Sequence, residues 1–282
     1  MCDASFPPRN TWSKYTCIFA VCIALICECN VVALQVKGKN VHIGTAPIAF
    51  SVERPTFTGM VAGCKFEGEL FLLIGVERKR LTFGRAVSAS AITRDRWRYR
   101  MELEGMPVQL ICDLREFGSW VYATVTLANE SSERLLLEIG WEVRAVLDDA
   151  KFFGGTKVRE KGRKYQHTGL CRPLPLVALF NSSACIAIAY DPNQWLSYFD
   201  NNADLTSQRA IVRTSTRIVA DARRSVTVSF LLSAFKTRWG HLEALHWYYE
   251  AFPRYFMPHP DVDERIWLNG GSYLAWRSQD SV

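Results

Sequence analysis

The sequence predicts a mostly β protein, an antiparallel β-sandwich followed by a C-terminal helix and the opening of a further domain. Three observations point there. From about residue 41 to 234, short runs of alternating apolar and polar residues follow one another, the period of a strand with one packed and one wet face. Turn-forming residues punctuate these runs at short intervals, the pattern of sandwiches and barrels. Helical periodicity is absent until about residue 237. At 282 residues, 49% hydrophobic and 22% charged, the chain is globular in composition and long enough for one large sandwich with extra segments.

At the N-terminus, Arg9 and Lys14 precede an apolar run over residues 15–27, which Glu28 interrupts. This is signal-peptide layout, and the run is short for a bilayer span. Cleavage after Cys29 or after Ala33 and retention as an uncleaved anchor all remain open. Residues 1–33 are therefore assigned to export, which predicts a secreted, periplasmic or cell-surface protein. Cys2, Cys17, Cys22, Cys27 and Cys29 fall in that segment. The spacings of Cys64, Cys112, Cys171 and Cys185 fit no zinc pattern, and both a Cys171 to Cys185 bridge and buried free thiols are compatible with them.

Residues 34–235 form the predicted sandwich. Its clearest strands are 108–112, 119–127, 134–139, 141–147, 184–190, 209–219 and 225–232. In the last, Val226, Val228, Phe230 and Leu232 share one face while Ser225, Thr227 and Ser229 share the other. The formal charge of +6 invites a nucleic-acid reading, and residues 76–100 carry eight Lys or Arg against Glu77 and Asp95. Arg94, Arg96, Arg98 and Arg100, however, alternate with Asp95, Trp97, Tyr99 and Met101, as a solvated strand face does, so no nucleic-acid partner is expected.

Candidate ligand residues lie on two connections. The first, residues 148–175, holds Tyr165, His167 and Arg172: a ring able to stack on a sugar beside two polar groups, in a stretch crowded with basic residues that also reads as surface loop. The second is Tyr190-Asp191-Pro192-Asn193-Gln194-Trp195. Asp191 and Asn193 offer planar hydrogen-bonding groups for hydroxyls and Trp195 an apolar face, although Asp-Pro-Asn is equally a good turn. The run 200–204, Asp-Asn-Asn-Ala-Asp, resembles the opening of a calcium loop but lacks its glycine and closing glutamate, which favours a hydrogen-bonded turn. No motif marks a catalytic carboxylate pair, nucleophile or phosphate loop, and His241 and His246, five apart, do not share a helix face. The sequence predicts no catalytic residue, cofactor or metal.

Residues 236–264 read as a helix and linker. Leu242, Leu245, Tyr249 and Phe252 recur at helical spacing before Pro253, and Pro258, Pro260 and an acidic stretch follow. Residues 265–282 resume as an apolar, aromatic segment, expected to be the start of another domain.

Taken together, the run CRPLPLVALF (171–180), the YDPNQW loop (190–195) and YYEAFPRYF (248–256) resemble the galactose mutarotase-like supersandwich that precedes the (β/α)₈ barrel in some bacterial glycoside hydrolases, including relatives of the endo-α-N-acetylgalactosaminidases. The resemblance covers roughly residues 41–276. It implies a carbohydrate-associated module of an exported glycoside hydrolase, inactive alone, with the catalytic carboxylates on a downstream barrel of which only the first strand is present. A glycan- or protein-binding surface protein and an aldose mutarotase are the alternatives. The mutarotase needs more cleft histidines than His42 and His167 supply.

Overall fold

The computed structural model describes residues 34–37, 39–43, 47–93, 95–169, 174–194, 196 and 198–256; at 34–37, 85 and 167–169 it describes the backbone. The expected export segment and the segment 265–282 lie outside these residues.

In chain order the strands are β1 (Leu34–Lys37), β2 (Asn40–Ile43), β3 (Ile48–Ser51), β4 (Thr56–Val61), β5 (Cys64–Ile74), β6 (Lys79–Arg80) and β7 (Phe83–Thr93). There follow β8 (Arg96–Leu103), β9 (Val108–Phe117), β10 (Trp120–Asn129), β11 (Leu135–Val146), β12 (Lys151–Phe153) and β13 (Val158–Arg159). The last are β14 (Lys164–Gly169), β15 (Leu176–Phe180), β16 (Ala184–Tyr190), β17 (Phe199–Asp204), β18 (Arg209–Ala220) and β19 (Ser225–Lys236). Helix α1 (His241–Ala251) and the helical turn α2 (Pro253–Phe256) end the described chain.

Among the described residues the strands form two antiparallel sheets. One has ten strands in the order β1-β2-β3-β4-β5-β11-β18-β17-β14, with β6 paired to β5; the other has nine, in the order β13-β12-β15-β16-β19-β10-β9-β8-β7. They stack as a sandwich, with β4 and β18 of the first against β19 and β10 of the second. The expected sandwich is therefore present. The two runs expected at 134–139 and 141–147 are one long strand, β11, because Gly140 continues the ladder. A side chain there would run into the Thr214 carbonyl and Ser215 on the paired strand.

The core lies between the sheets, centred on Trp141. Its ring centroid stands 5.4 Å from that of Phe57 and 6.3 Å from that of Phe230, and Tyr190 packs 5.0 Å from Phe230. The arginine strand behaves as its alternation predicts: in β8, Trp97, Tyr99 and Met101 are buried while Arg98 and Arg100 are exposed. Cys112 and Cys185 are buried free thiols. Burial pushes the Cys112 thiol up to about 12 and the Cys185 thiol higher still.

A second apolar cluster covers part of the outer face of the nine-stranded sheet, where α1 docks. The helix exists where its periodicity put it, and of the four residues at helical spacing Phe252 and, in part, Leu245 pack against this cluster. Ala244 and Tyr248 are fully buried and Phe252 nearly so, whereas Leu242 is 54% and Tyr249 37% exposed. The physical reason is Tyr248: its ring fills a slot beside Trp120 and Phe252, and its hydroxyl donates to the Tyr190 carbonyl at 2.9 Å, a bond neither leucine can make.

Trp141→Ala is expected to destabilise the fold by about 3–5 kcal/mol, the usual cost of emptying an aromatic core site, read as a lowered urea midpoint with unchanged slope. Tyr249→Ala on the exposed side of α1 is expected to shift that midpoint little.

Candidate functional site

The nominated residues that the structure describes stand on two different sheets. Tyr165 stands on β14, its ring partly buried against the core, its hydroxyl donating to the Glu160 carbonyl at 2.9 Å and the Arg159 guanidinium 5.5 Å from its centroid. His167, on the same edge strand β14, pairs in register with Asn201 of β17. Arg172 and Trp195 lie outside the described residues. Asp191 and Asn193 follow β16, in the other sheet.

Around Asp191 the polar groups engage one another. Its carboxylate accepts from the Tyr122 hydroxyl and, at 2.8 Å each, from the backbone and side-chain N–H groups of Asn193. Asn193 accepts in turn from the Tyr255 hydroxyl, and the Gln194 amide closes a pair of 2.6 Å hydrogen bonds with the backbone of Ser229. Burial and the neighbouring Asp191 carboxylate push Tyr122 up to about 12. This turn fastens the end of β16 to β10, β19 and the C-terminal helical turn.

A denser constellation, which no motif signals, occupies the outer face of the ten-stranded sheet. Along β11 the odd-numbered residues from Leu137 to Ala145 enter the core, so Glu138, Glu142 and Arg144 point outward. Antiparallel register sets Arg213, Ser215 and Arg217 of β18 on that face, and Asp200, Asn202 and Asp204 of β17 beyond them. The run 200–204 is thus an inner strand rather than a turn. Its alternating oxygens are the period of a strand, and pairing on both sides overrides the low strand preference of Asn and Asp.

Arg78 links two of these strands, β11 and β17. It sits in the turn after β5 with φ at 54°, an unfavourable conformation for a side chain-bearing residue, and one guanidinium nitrogen donates to Glu138 Oε1 at 2.7 Å and to Asp200 Oδ2 at 2.9 Å. Ser215 also donates to Glu138 Oε1 at 2.6 Å, and Asn202 donates to Asp200 Oδ1 at 2.9 Å. Glu138 is 4% exposed and Asp200 0%; Glu138 Oε2 is buried without a hydrogen-bond partner among the described residues. Burial works against the Arg78 charge, but bonding to Glu138 and Asp200 outweighs it and raises its pKa above the ordinary guanidinium value.

Beside this cluster lies an open depression of about 730 Å³, lined by Arg78, Arg80, Lys164, Gln166, Asn202 and Arg213 among others, with Tyr165 at its border. Each cation on it has an anion: Arg78 has Glu138 and Asp200, Arg80 has Glu69, Lys164 has Asp204, and Arg213 has Glu142. The surface is therefore dense in donors and acceptors yet nearly balanced in charge, which suits a neutral polyhydroxyl ligand better than a phosphate or a polyanion. Among the described residues no group of three or more His, Cys, Asp or Glu is arranged to hold a metal ion.

No protein-family model matches the chain, and no curated protein matches it in sequence. Several solved structures align with it. A galactose mutarotase-like protein from Lactobacillus casei is 7% identical over 71% of this chain and 99% of its own, with a TM-score of 0.47. A galactose mutarotase related enzyme from Lactobacillus acidophilus is 7% identical over 71% of this chain and 96% of its own, with a TM-score of 0.46. A GH36 alpha-galactosidase from Geobacillus stearothermophilus is 8% identical over 73% of this chain and 41% of its own, with a TM-score of 0.45.

The Asp204 carboxyl is held down to about 2, first by the Thr206 hydroxyl, then by the Thr206 backbone N–H and Lys164. Its folded-state value lies below the ordinary value of about 4, so its contribution to stability is present above pH ~4 and is lost as pH falls through about 2. A carboxyl-carbon NMR titration is expected to place its midpoint near 2 in the wild type and higher in Thr206→Val.

Proposed function

We propose that this chain is a carbohydrate-binding β-sandwich that docks a neutral sugar on the outer face of its ten-stranded sheet. The observation that carries the reading is the depression beside Arg78, where guanidinium, amide and carboxylate groups crowd one face and the cations are answered by anions. A sugar ring presents adjacent hydroxyls, each both donor and acceptor, and planar bidentate groups are the side chains that match such pairs. The motif resemblance to the galactose mutarotase-like supersandwich supports the same ligand class. On that resemblance the chain serves an exported glycoside hydrolase as a non-catalytic module beside a barrel, with residues 1–33 directing export.

Titration calorimetry against a panel of neutral gluco- and galacto-oligosaccharides tests the reading. At least one is expected to bind the wild type, and Arg78→Ala is expected to weaken it tenfold or more, since hydrogen bonds to a charged group contribute about 1.5–3 kcal/mol. Asn202→Ala, which leaves the Arg78 pairs in place but removes one donor from the buried Asp200 carboxylate, is expected to weaken binding at a stability cost of about 1–3 kcal/mol that leaves the chain folded. Loss of binding in Trp195→Ala with none in Asn202→Ala would move the sugar to the 190–195 loop. Absence of binding across the panel would sink the proposal.

A further inference from the structure

The sheet edges differ in how they are protected. Among the described residues β13 has two residues, β1 four, and β14 six with Lys164 at its head, whereas β7 has eleven. Between residues 86 and 93, β7 carries no charge and no proline, and residues 87–93 are all exposed, including Val87 at 60% and Ile92 at 43%. Register irregularities flank its middle, but from Ser88 to Ala91 it pairs regularly with β8. Beyond it no further strand lies among the described residues. Such an edge presents unpaired backbone N–H and C=O groups without the charges, prolines or short length that usually block strand addition.

We propose that β7 takes up an extended acidic segment of another protein as an added strand. The charge of the adjoining face selects the partner. Ser88 pairs with Arg100 and Ser90 with Arg98, so these residues share one face, and the serines are too short to screen the guanidiniums behind them. Arg98 and Arg96 share the single carboxylate of Asp113, and Arg100 bonds the neutral amide of Gln109. Glu102 and Asp95 stand only at the two ends of β8. An added strand would run about 10 Å from β8, within the combined reach of an arginine and a glutamate leaning toward each other over Ser88 and Ser90. A carboxylate replacing the Gln109 amide makes the Arg100 bond charge-assisted. Because strand side chains alternate, the segment should carry its acids at every second position. A second copy of this chain would offer another stretch 86–93 without an acid and leave the arginines unanswered.

The test uses two fluorescein-labelled eight-residue peptides, one alternating glutamate and valine, the other lysine and valine, titrated with the full chain and read by anisotropy. The acidic peptide is expected to bind at least about tenfold tighter, more weakly as salt rises, and to slow hydrogen exchange over residues 86–92. Arg98→Glu with Arg100→Glu is expected to reverse the preference, which a merely structural effect would not do. Equal binding of the two peptides, no binding, or protection elsewhere overturns the proposal. So does a concentration-dependent dimer in sedimentation that itself protects residues 86–92, because the edge would then belong to a second copy. None of these outcomes bears on the sugar titration.

Discussion

The register of β11 against its two neighbours is the constraint on which the rest of the molecule depends. Trp141 stands opposite Leu70 on one side and Thr214 on the other, with Ile139 and Val143 in the same row. Side chains alternate strictly along a strand, so a slip of one residue would send these apolar groups to solvent and press Glu138 and Glu142 into the core. That single register therefore fixes both the packing between the sheets and the charged array outside. The Trp141, Phe57 and Phe230 rings hold it from within, and Gly140 lets β18 approach closely enough to keep it.

The two outer faces of the sandwich meet water in different ways. On the nine-stranded sheet, Trp120, Phe153, Phe180 and Phe235 form an apolar patch, and α1 covers it with Ala244, Tyr248 and Phe252. The Asp191 turn secures that arrangement at one end, since Tyr122, Ser229 and Tyr255 all bond to its residues or to each other's partners there. On the ten-stranded sheet the outer face carries ion pairs instead. The Asp191 cluster, which by composition resembles a sugar site, bonds within its own turn and to its neighbours, while the face without a motif carries its polar groups on the outside of the sheet.

How much of this was legible in the sequence follows from what is local and what is not. A strand with a clean period of two, such as β8, could be read residue by residue, because burial of one face is written into the alternation itself, whereas β16 and most of β19 are buried on both faces. β17 could not: Asp-Asn-Asn-Ala-Asp has the composition of a turn, and only β18 and β14 on either side make it a strand. The packed face of α1 is only half legible for a related reason, since Leu242 and Tyr249 are as apolar as Leu245 and Phe252, and the slot that selects Tyr248 belongs to the sheet. The candidate site was the least legible part. Arg78 is 60 residues from Glu138 and 122 from Asp200, so no spacing rule links them, and they meet only through the strand order β5-β11-β18-β17.

The outer cluster is held in place at an energetic cost to the fold. Glu142 and Asp200 are fully buried and Glu138 nearly so, and each had to give up water to reach its place. Ion pairs near a surface contribute about 0–1 kcal/mol, and desolvating a carboxylate costs several kcal/mol before its partners offset it. A sheet face selected for stability alone would be served as well by threonine, valine and a few exposed lysines. Glu138 keeps an oxygen that no described group satisfies, and Arg78 holds a left-handed backbone conformation to reach two carboxylates at once. Such departures occur elsewhere too, at Ala62, Asp149 and Arg223 with positive φ and at the buried ring nitrogens of Trp97 and Trp120; here two of them meet in one hydrogen bond, from Arg78 to Glu138.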